Sequence, residues 1–266
     1  MRAFQQGADV IDPRAVIHPG AELEEGVEVG PFAVIGPHVR IGKNCRIGAH
    51  SLVEGRTRLG EGCQVFPFAS VGTVPQDLKY RGEPSRLEIG ERTVVREFAT
   101  VNIGTEGGGG VTRVGSDCLL MAYSHVAHDC RLGDHVVMAN AATLAGHVCV
   151  GDWATVGGLS AVHQFVRVGA HAFVGGCSAV VMDVAPYVSV SGNRARAVGV
   201  NVTGLKRRGF DGETIRALRS AYRIVFQSGY TLQRALEEVR SGPEFELPSV
   251  RTFVEFLAQS ERGVTR

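Results

Sequence analysis

Residues 114–149 read VGSDCL LMAYSH VAHDCR LGDHVV MANAAT LAGHVC, and every block of six opens on an aliphatic side chain or a methionine. The beat continues through Val150, Val156, Val162, Val168, Val174 and Val180. It also runs back along the chain at Ile11, Ile17, Leu23, Val29, Ile35, Ile41, Ile47, Val53, Leu59, Val65 and Val71, with a shorter run at Ile89, Val95 and Val101. An amphipathic helix repeats near 3.6 residues and a half-buried strand near 2, so a strict period of six is neither alone. It is the signature of a parallel β-helix built from hexapeptide repeats. Three hexads make one triangular coil, so residues eighteen apart stack in columns at the roughly 4.8 Å spacing of neighbouring strands. The fifth place of the hexad is small at Ala15, Ala33, Cys45, Cys63, Cys118, Cys130, Ala142 and Ala154, as a crowded interior corner requires.

Composition narrows the class. A net charge of +1 over 266 residues gives no bulk attraction for nucleic acid. Met1 to Val10 lacks the apolar core of an export signal, and no stretch approaches the roughly 20 apolar residues of a membrane span. The expected location is the cytoplasm. The six cysteines form no CxxC pair and no zinc-ligand spacing. Cys45 and Cys63 fall in one column, where a disulfide is geometrically possible but a reducing compartment opposes it.

The beat assigns residues 1–192 to the β-helix, interrupted by excursions near 73–86 and 105–113. The step from Val101 to Val114 is thirteen residues, so the chain must leave the coil there. The step from Val71 to Ile89 is eighteen and keeps phase, but Asp77 and Glu83 fall where aliphatic residues belong. Residues 193–266 lose the beat and form a helical domain that caps the solenoid, as open-ended repeat stacks require. Ile215, Leu218, Tyr222 and Val225 mark one helix. Thr231 caps a second with Leu232, Ala235, Leu236 and Val239, and Ser249 caps a third with Phe253, Val254 and Leu257.

The column rule also gathers chemistry. His128, Gly146 and Gln164 share one column, Asp129, His147 and Phe165 the next, and His125 and His163 lie alongside. Four histidines and a carboxylate on one edge of three successive coils form a candidate functional site. Two chemistries suit it. Three histidines can hold zinc, or one imidazole can act as a general base while Asp129 orients it and the Gly146 N–H receives an oxyanion. The second arrangement performs direct acyl transfer.

Particular strings then make a resemblance. Gln76-Asp77-Leu78-Lys79-Tyr80, Ala127-His128-Asp129-Cys130, Thr143-Leu144-Ala145-Gly146-His147, Ala161-Val162-His163-Gln164-Phe165, Val174-Gly175-Gly176-Cys177, Gly192-Asn193 and Gly204-Leu205-Lys206-Arg207-Arg208-Gly209-Phe210 occur in that order. From about Ile11 to Arg266 the chain closely resembles the UDP-N-acetylglucosamine O-acyltransferases of lipid A biosynthesis. The resemblance implies a left-handed parallel β-helix with a C-terminal α-helical domain, and a homotrimer with sites between subunits. It implies transfer of a 3-hydroxyacyl chain from acyl carrier protein to the glucosamine 3-hydroxyl of UDP-N-acetylglucosamine, with no metal or other cofactor. By position, His128 matches the general base, Asp129 its partner and Gly146 the oxyanion donor. Asp77, Lys79, His125, His147, His163 and Gln164 match substrate-facing positions, Asn201 and Arg208 the nucleotide side, and Gly176 the limit of acyl length. Lys206 and Arg207 offer a basic surface to an acidic carrier. Three positions depart from the family pattern: Ile103 for an arginine, Thr203 for an acidic residue and Arg194 for a histidine.

The alternatives are the same chemistry on a 3-amino sugar, giving an amide, a zinc hydratase of the γ-carbonic anhydrase type, and a purely structural solenoid. The related N-acyltransferase would carry a further domain before the β-helix, whereas here the beat starts at Ile11.

Overall fold

The computed structural model describes residues 10–266. The reading of Met1 to Val10 as lacking an export signal therefore lies, but for Val10, outside the described residues. The fold is a left-handed parallel β-helix followed by helices. Among the described residues, face one carries nine strands, from Val16–Ile17 to Ala179–Val180, and face two carries eight, from Glu22–Leu23 to Arg167–Val168. Face three carries ten, from Glu28–Val29 through Phe173–Val174 to Val188–Ser191 and Arg196–Val200. Most strands are two residues long, the first facing out and the second in, so one aliphatic residue per hexad fills the core. Val126, Leu144 and Val162 stack in this way on face one. The second corner residue takes the left-handed backbone conformation, with φ of 60° at Asp129, 63° at His147 and 64° at Phe165.

Cys45, Cys63, Cys118 and Cys130 are buried free thiols. Cys45 Sγ donates to the Gly60 carbonyl at 3.0 Å and Cys63 Sγ to that of Gly90 at 2.9 Å, so the pair in one column is not a disulfide. Burial pushes Cys118 up to about 11 and Cys130 up to about 12, which keeps these thiols neutral fillers.

The column rule changes across the excursions. Val71 pairs with Val101 and Leu59 with Ile89, thirty residues apart, while Val101 pairs with Val126 twenty-five apart. Val71 and Ile89 share no column although eighteen residues apart, because Val71 lies on face one and Ile89 on face two. The eighteen-residue step keeps phase only because it holds one hexad plus a twelve-residue loop, itself a multiple of six. The first excursion occupies 74–85 and the second 103–110, ending earlier than expected because Val111–Val114 is already a strand. Both leave from face one and rejoin at face two, so they share one edge. The Asn102 amide ties their bases together, donating to Thr73 Oγ1 at 3.0 Å and the Val74 carbonyl at 3.2 Å.

Residues 196–200, grouped by sequence with the helices, instead form a strand antiparallel to Val188–Ser191. Helix α1 (Val202–Arg207), which sequence periodicity missed, is capped by Asn201. Helices α2 (Gly212–Gln227) and α3 (Leu232–Ser241) are capped by Asp211 and Thr231. Helix α4 (Pro248–Ala258) starts at Pro248 with Leu247 as cap rather than Ser249, since proline suits the first helical position. Leu218, Val225, Leu236, Phe253 and Leu257 close the helical core. The segment after α4 returns to the β-helix, where Val264 pairs with Asp183. Among the described residues no helix is long and apolar enough to cross a membrane.

Candidate active site

The edge between faces one and two carries His128–Asp129, Gly146–His147 and Gln164–Phe165 on three successive coils, and both excursions emerge along it. The centre is Asp129, whose side chain is 1% exposed. Its Oδ1 accepts the Thr105 N–H at 2.8 Å, and its Oδ2 accepts the Thr105 hydroxyl at 2.7 Å and His128 Nδ1 at 2.7 Å. A carboxylate in that position holds the proton on Nδ1 and leaves Nε2 free as an acceptor. That nitrogen lies 4.0 Å from Asp77 Oδ2, contributed by the first excursion.

Two glycines are dictated by this geometry. A Cβ at Gly146 would lie 2.6 Å from His128 Cε1, so the imidazole packs flush on the bare backbone of the next coil. A Cβ at Gly108 would collide with the Asp129 carboxylate, so the glycine-rich second excursion can close over Asp129 only without one. Thr105 and Gly108 were not singled out from the sequence. The run Gly107 to Gly110 was visible, but the column rule cannot place a loop that has left the coil.

His147 meets His128 edge-on with ring centroids 5.1 Å apart, stacks on Phe165 at 4.4 Å, and brings Nε2 to 3.9 Å from Asp129 Oδ2. His125 sits on face one with Nδ1 at 2.7 Å from the Thr100 hydroxyl. Burial pushes both histidines below the ordinary imidazole range, and His128 nearby adds to the effect. Lys79 is exposed, and its N–H donates to Asp77 Oδ1 at 2.9 Å. His163 and Gln164 are exposed on the next coil, with His163 Nδ1 3.0 Å from Arg262 Nη2.

Other expected residues lie elsewhere in the chain. Gly176 is exposed at the edge between faces three and one, where an added Cβ would meet only the Gly158 carbonyl. Asn201 and Arg208 lie by the edge between faces two and three. Asn201 Nδ2 donates to the His171 carbonyl at 3.0 Å, and the Arg208 guanidinium covers Trp153 at 5.4 Å. Lys206 and Arg207 are exposed on the last turn of α1.

His128, Asp129 and His147 hold ligand-type atoms within 4.8 Å of one another. Tetrahedral zinc with bonds near 2.0 Å needs its ligand atoms roughly 3.3 Å apart. The 2.7 Å between His128 Nδ1 and Asp129 Oδ2 is hydrogen-bond spacing instead, so zinc would have to break the pair.

The same architecture and sequence pattern occur in LpxA from Acinetobacter baumannii, at 42% identity and a TM-score of 0.94 over 97% of this chain and 100% of that one. The chain belongs to the UDP-N-acetylglucosamine acyltransferase family. Another similar acyltransferase of this family, LpxA from Moraxella catarrhalis, is 40% identical, with a TM-score of 0.93 over 96% of this chain and 99% of that one. The UDP-N-acetylglucosamine acyltransferase of Arabidopsis is 35% identical, with a TM-score of 0.84 over 97% and 100%. The model of UDP-N-acetylglucosamine O-acyltransferase domain 2 matches residues 183–265, and that of the six-repeat bacterial transferase hexapeptide matches 20–55 and 112–146. Of the departures from the acyltransferase pattern, Ile103 turns inward and is 4% exposed, so its apolar side chain serves the core. Thr203 and Arg194 are exposed, and nothing in the structure explains either substitution.

Proposed function

We propose that the protein transfers a 3-hydroxyacyl chain from acyl carrier protein to the glucosamine 3-hydroxyl of UDP-N-acetylglucosamine, in the cytoplasm, as a step of lipid A biosynthesis. His128 Nε2 takes the proton of the sugar hydroxyl as its oxygen attacks the thioester carbonyl. The oxyanion meets the Gly146 N–H, which has no partner among the described residues. Collapse breaks the carbon–sulfur bond, and the His128 imidazolium returns the proton to the departing thiolate of the carrier. General base catalysis contributes typically about 10²–10⁴-fold and an oxyanion donor a comparable factor. The observation that carries this reading is the 2.7 Å bond from His128 Nδ1 to Asp129, with the imidazole lying on Gly146.

The surroundings support the substrates. Outward positions of face one beyond His125 are Thr143, Ala161 and Ala179, so a shallow floor leads from the histidine edge towards Gly176. An acyl chain laid over it would end against Gly176. Asn201 and Arg208 lie on a different edge from His128, so both can serve one site only if a second copy supplies one of them. A homotrimer does so. A ladder of stacked rings, Phe32, His50, Phe68, Phe98 and Tyr123, runs up the edge between faces three and one. Tyr123 is 61% exposed, and such a stripe is the kind of surface that a neighbouring copy covers. Lys206 and Arg207, with Arg216, Arg219 and Arg223 of α2, give the helical end a basic surface for an acidic carrier protein.

The test is a product assay by mass spectrometry with 3-hydroxyacyl carrier proteins of several lengths, UDP-N-acetylglucosamine and its 3-amino analogue. An ester on the first sugar, lost in His128→Ala, supports the reading. An amide formed on the analogue alone would move the acceptor to the 3-amino sugar. Turnover of His128→Ala above about half of wild type would remove the base assignment.

A further inference from the structure

Arg262 lies in the segment that follows α4, and the β-helix grips that segment on both sides of it. Asp183, 2% exposed, accepts the Ser260 hydroxyl at 2.9 Å on its carboxylate and the Thr265 N–H at 2.8 Å on its carbonyl. Its own N–H donates to the Gly263 carbonyl at 2.9 Å, and the Thr265 hydroxyl donates to the Met182 carbonyl at 3.0 Å. Asp183 is held in turn by Arg167, whose N–H reaches Oδ1 at 2.8 Å. Gly263, with φ of 81°, makes the bend after Arg262. The latch closes at the edge between faces one and two, one coil beyond Gln164, and delivers the Arg262 guanidinium to His163 Nδ1 at 3.0 Å.

That contact has one chemical sense. A guanidinium only donates, so Nδ1 must accept and the ring proton must sit on Nε2. A competing arrangement is built into the same residue. His163 Nδ1 is also 3.2 Å from the Gln164 carbonyl, which can only accept. Bonding to that carbonyl needs the proton on Nδ1 and leaves Nε2 as a bare acceptor. The two partners therefore demand opposite tautomers, and the cation wins while it is in place because charge-assisted hydrogen bonds are the stronger.

We infer that Arg262 is a positioning residue of the acyl-transfer site, fixing His163 in the tautomer that presents an Nε2–H donor to substrate. The inference rests on the proposed function, in which His163 faces the substrates. A donor there, beside a guanidinium, suits a phosphate or carbonyl oxygen. Phosphate occurs in both substrates, as the diphosphate of the sugar nucleotide and the phosphodiester of the carrier's prosthetic arm.

The experiment compares wild type, Arg262→Ala, His163→Gln and the double variant, with KM measured separately for sugar nucleotide and acyl carrier protein. Loss of a ground-state contact raises KM while sparing kcat. Arg262→Ala should raise KM about tenfold for one substrate with kcat within about twofold, and the substrate affected identifies the source of the oxygen. Glutamine donates through its amide without needing a tautomer, so Arg262→Ala should add nothing in the His163→Gln background. Nitrogen-15 NMR of histidine-labelled protein should show His163 protonated on Nε2 in the wild type and on Nδ1 in Arg262→Ala. An unchanged tautomer, an unchanged KM, or a full additional loss in the double variant would overturn the inference. His128→Ala run alongside separates the two levels: its inactivity with a neutral Arg262→Ala defeats only the role of Arg262, whereas its activity defeats the proposed function.

Discussion

At the residue scale the site depends on what side chains leave vacant. Gly146 is not in the left-handed backbone region, so alanine is conformationally allowed there, and its cost falls on the histidine above it. Gly146→Ala should therefore keep the melting temperature within a few degrees while lowering kcat. Displacing a catalytic group by about 1 Å can cost about 10²-fold. Steady-state kinetics beside a thermal melt decide it, and equal loss of both would show a packing role instead. His171 gives a second test, in stability. Burial, helped by the Arg208 cation, pushes it down to about 4 from 6.5. Between those values the unfolded chain binds more protons than the fold, so stability rises with pH across the window and is lost as pH falls through it. Partial solvent access discounts the effect to about 2 kcal/mol. Denaturant midpoints near pH 7 and about pH 4.5 should show His171→Gln losing less than wild type. Of the site, the histidine edge was legible in the sequence because columns follow from counting. Thr105 was not, because its bond to Asp129 spans a loop whose path no periodicity records.

At the element scale the two excursions are the walls of the site. Gly108→Ala would lift the second excursion off Asp129 and break the Thr105 bonds, so kcat should fall at least about tenfold, with a stability loss of about 1–3 kcal/mol. Gly107 has open space around its would-be Cβ, so Gly107→Ala is the control expected to change neither. Gly176→Met would place a long side chain at the far end of the face-one floor, and kcat/KM should drop for long hydroxyacyl donors and hold or rise for short ones. An unchanged length profile would mean that the chain takes another path. The beat identified strands and excursions because burying one aliphatic residue per hexad is a local demand. It misjudged residues 196–200, whose pairing is antiparallel and escapes the hexad pattern.

At the scale of the whole molecule, His128 and the pair Asn201 and Arg208 occupy different edges of one prism. If neighbouring copies complete each other's sites, His128→Ala and Arg208→Ala proteins, each inactive alone, should regain part of the activity when unfolded together and refolded as a mixture. Mixed trimers would contain at least one intact site. No recovery, with mass spectrometry showing mixed trimers, would overturn the completion of one copy's site by another. Periodicity describes neighbours along one chain and cannot give such an arrangement, which only the resemblance implies. Paired residues lie eighteen, twenty-five or thirty apart along the chain, yet the stack is continuous. Each coil takes its register from the storey beneath it and from nothing further away. The fold keeps no tally of its own height, so one storey such as 37–54 can be duplicated and the tower grows by about 4.8 Å with its working floors intact.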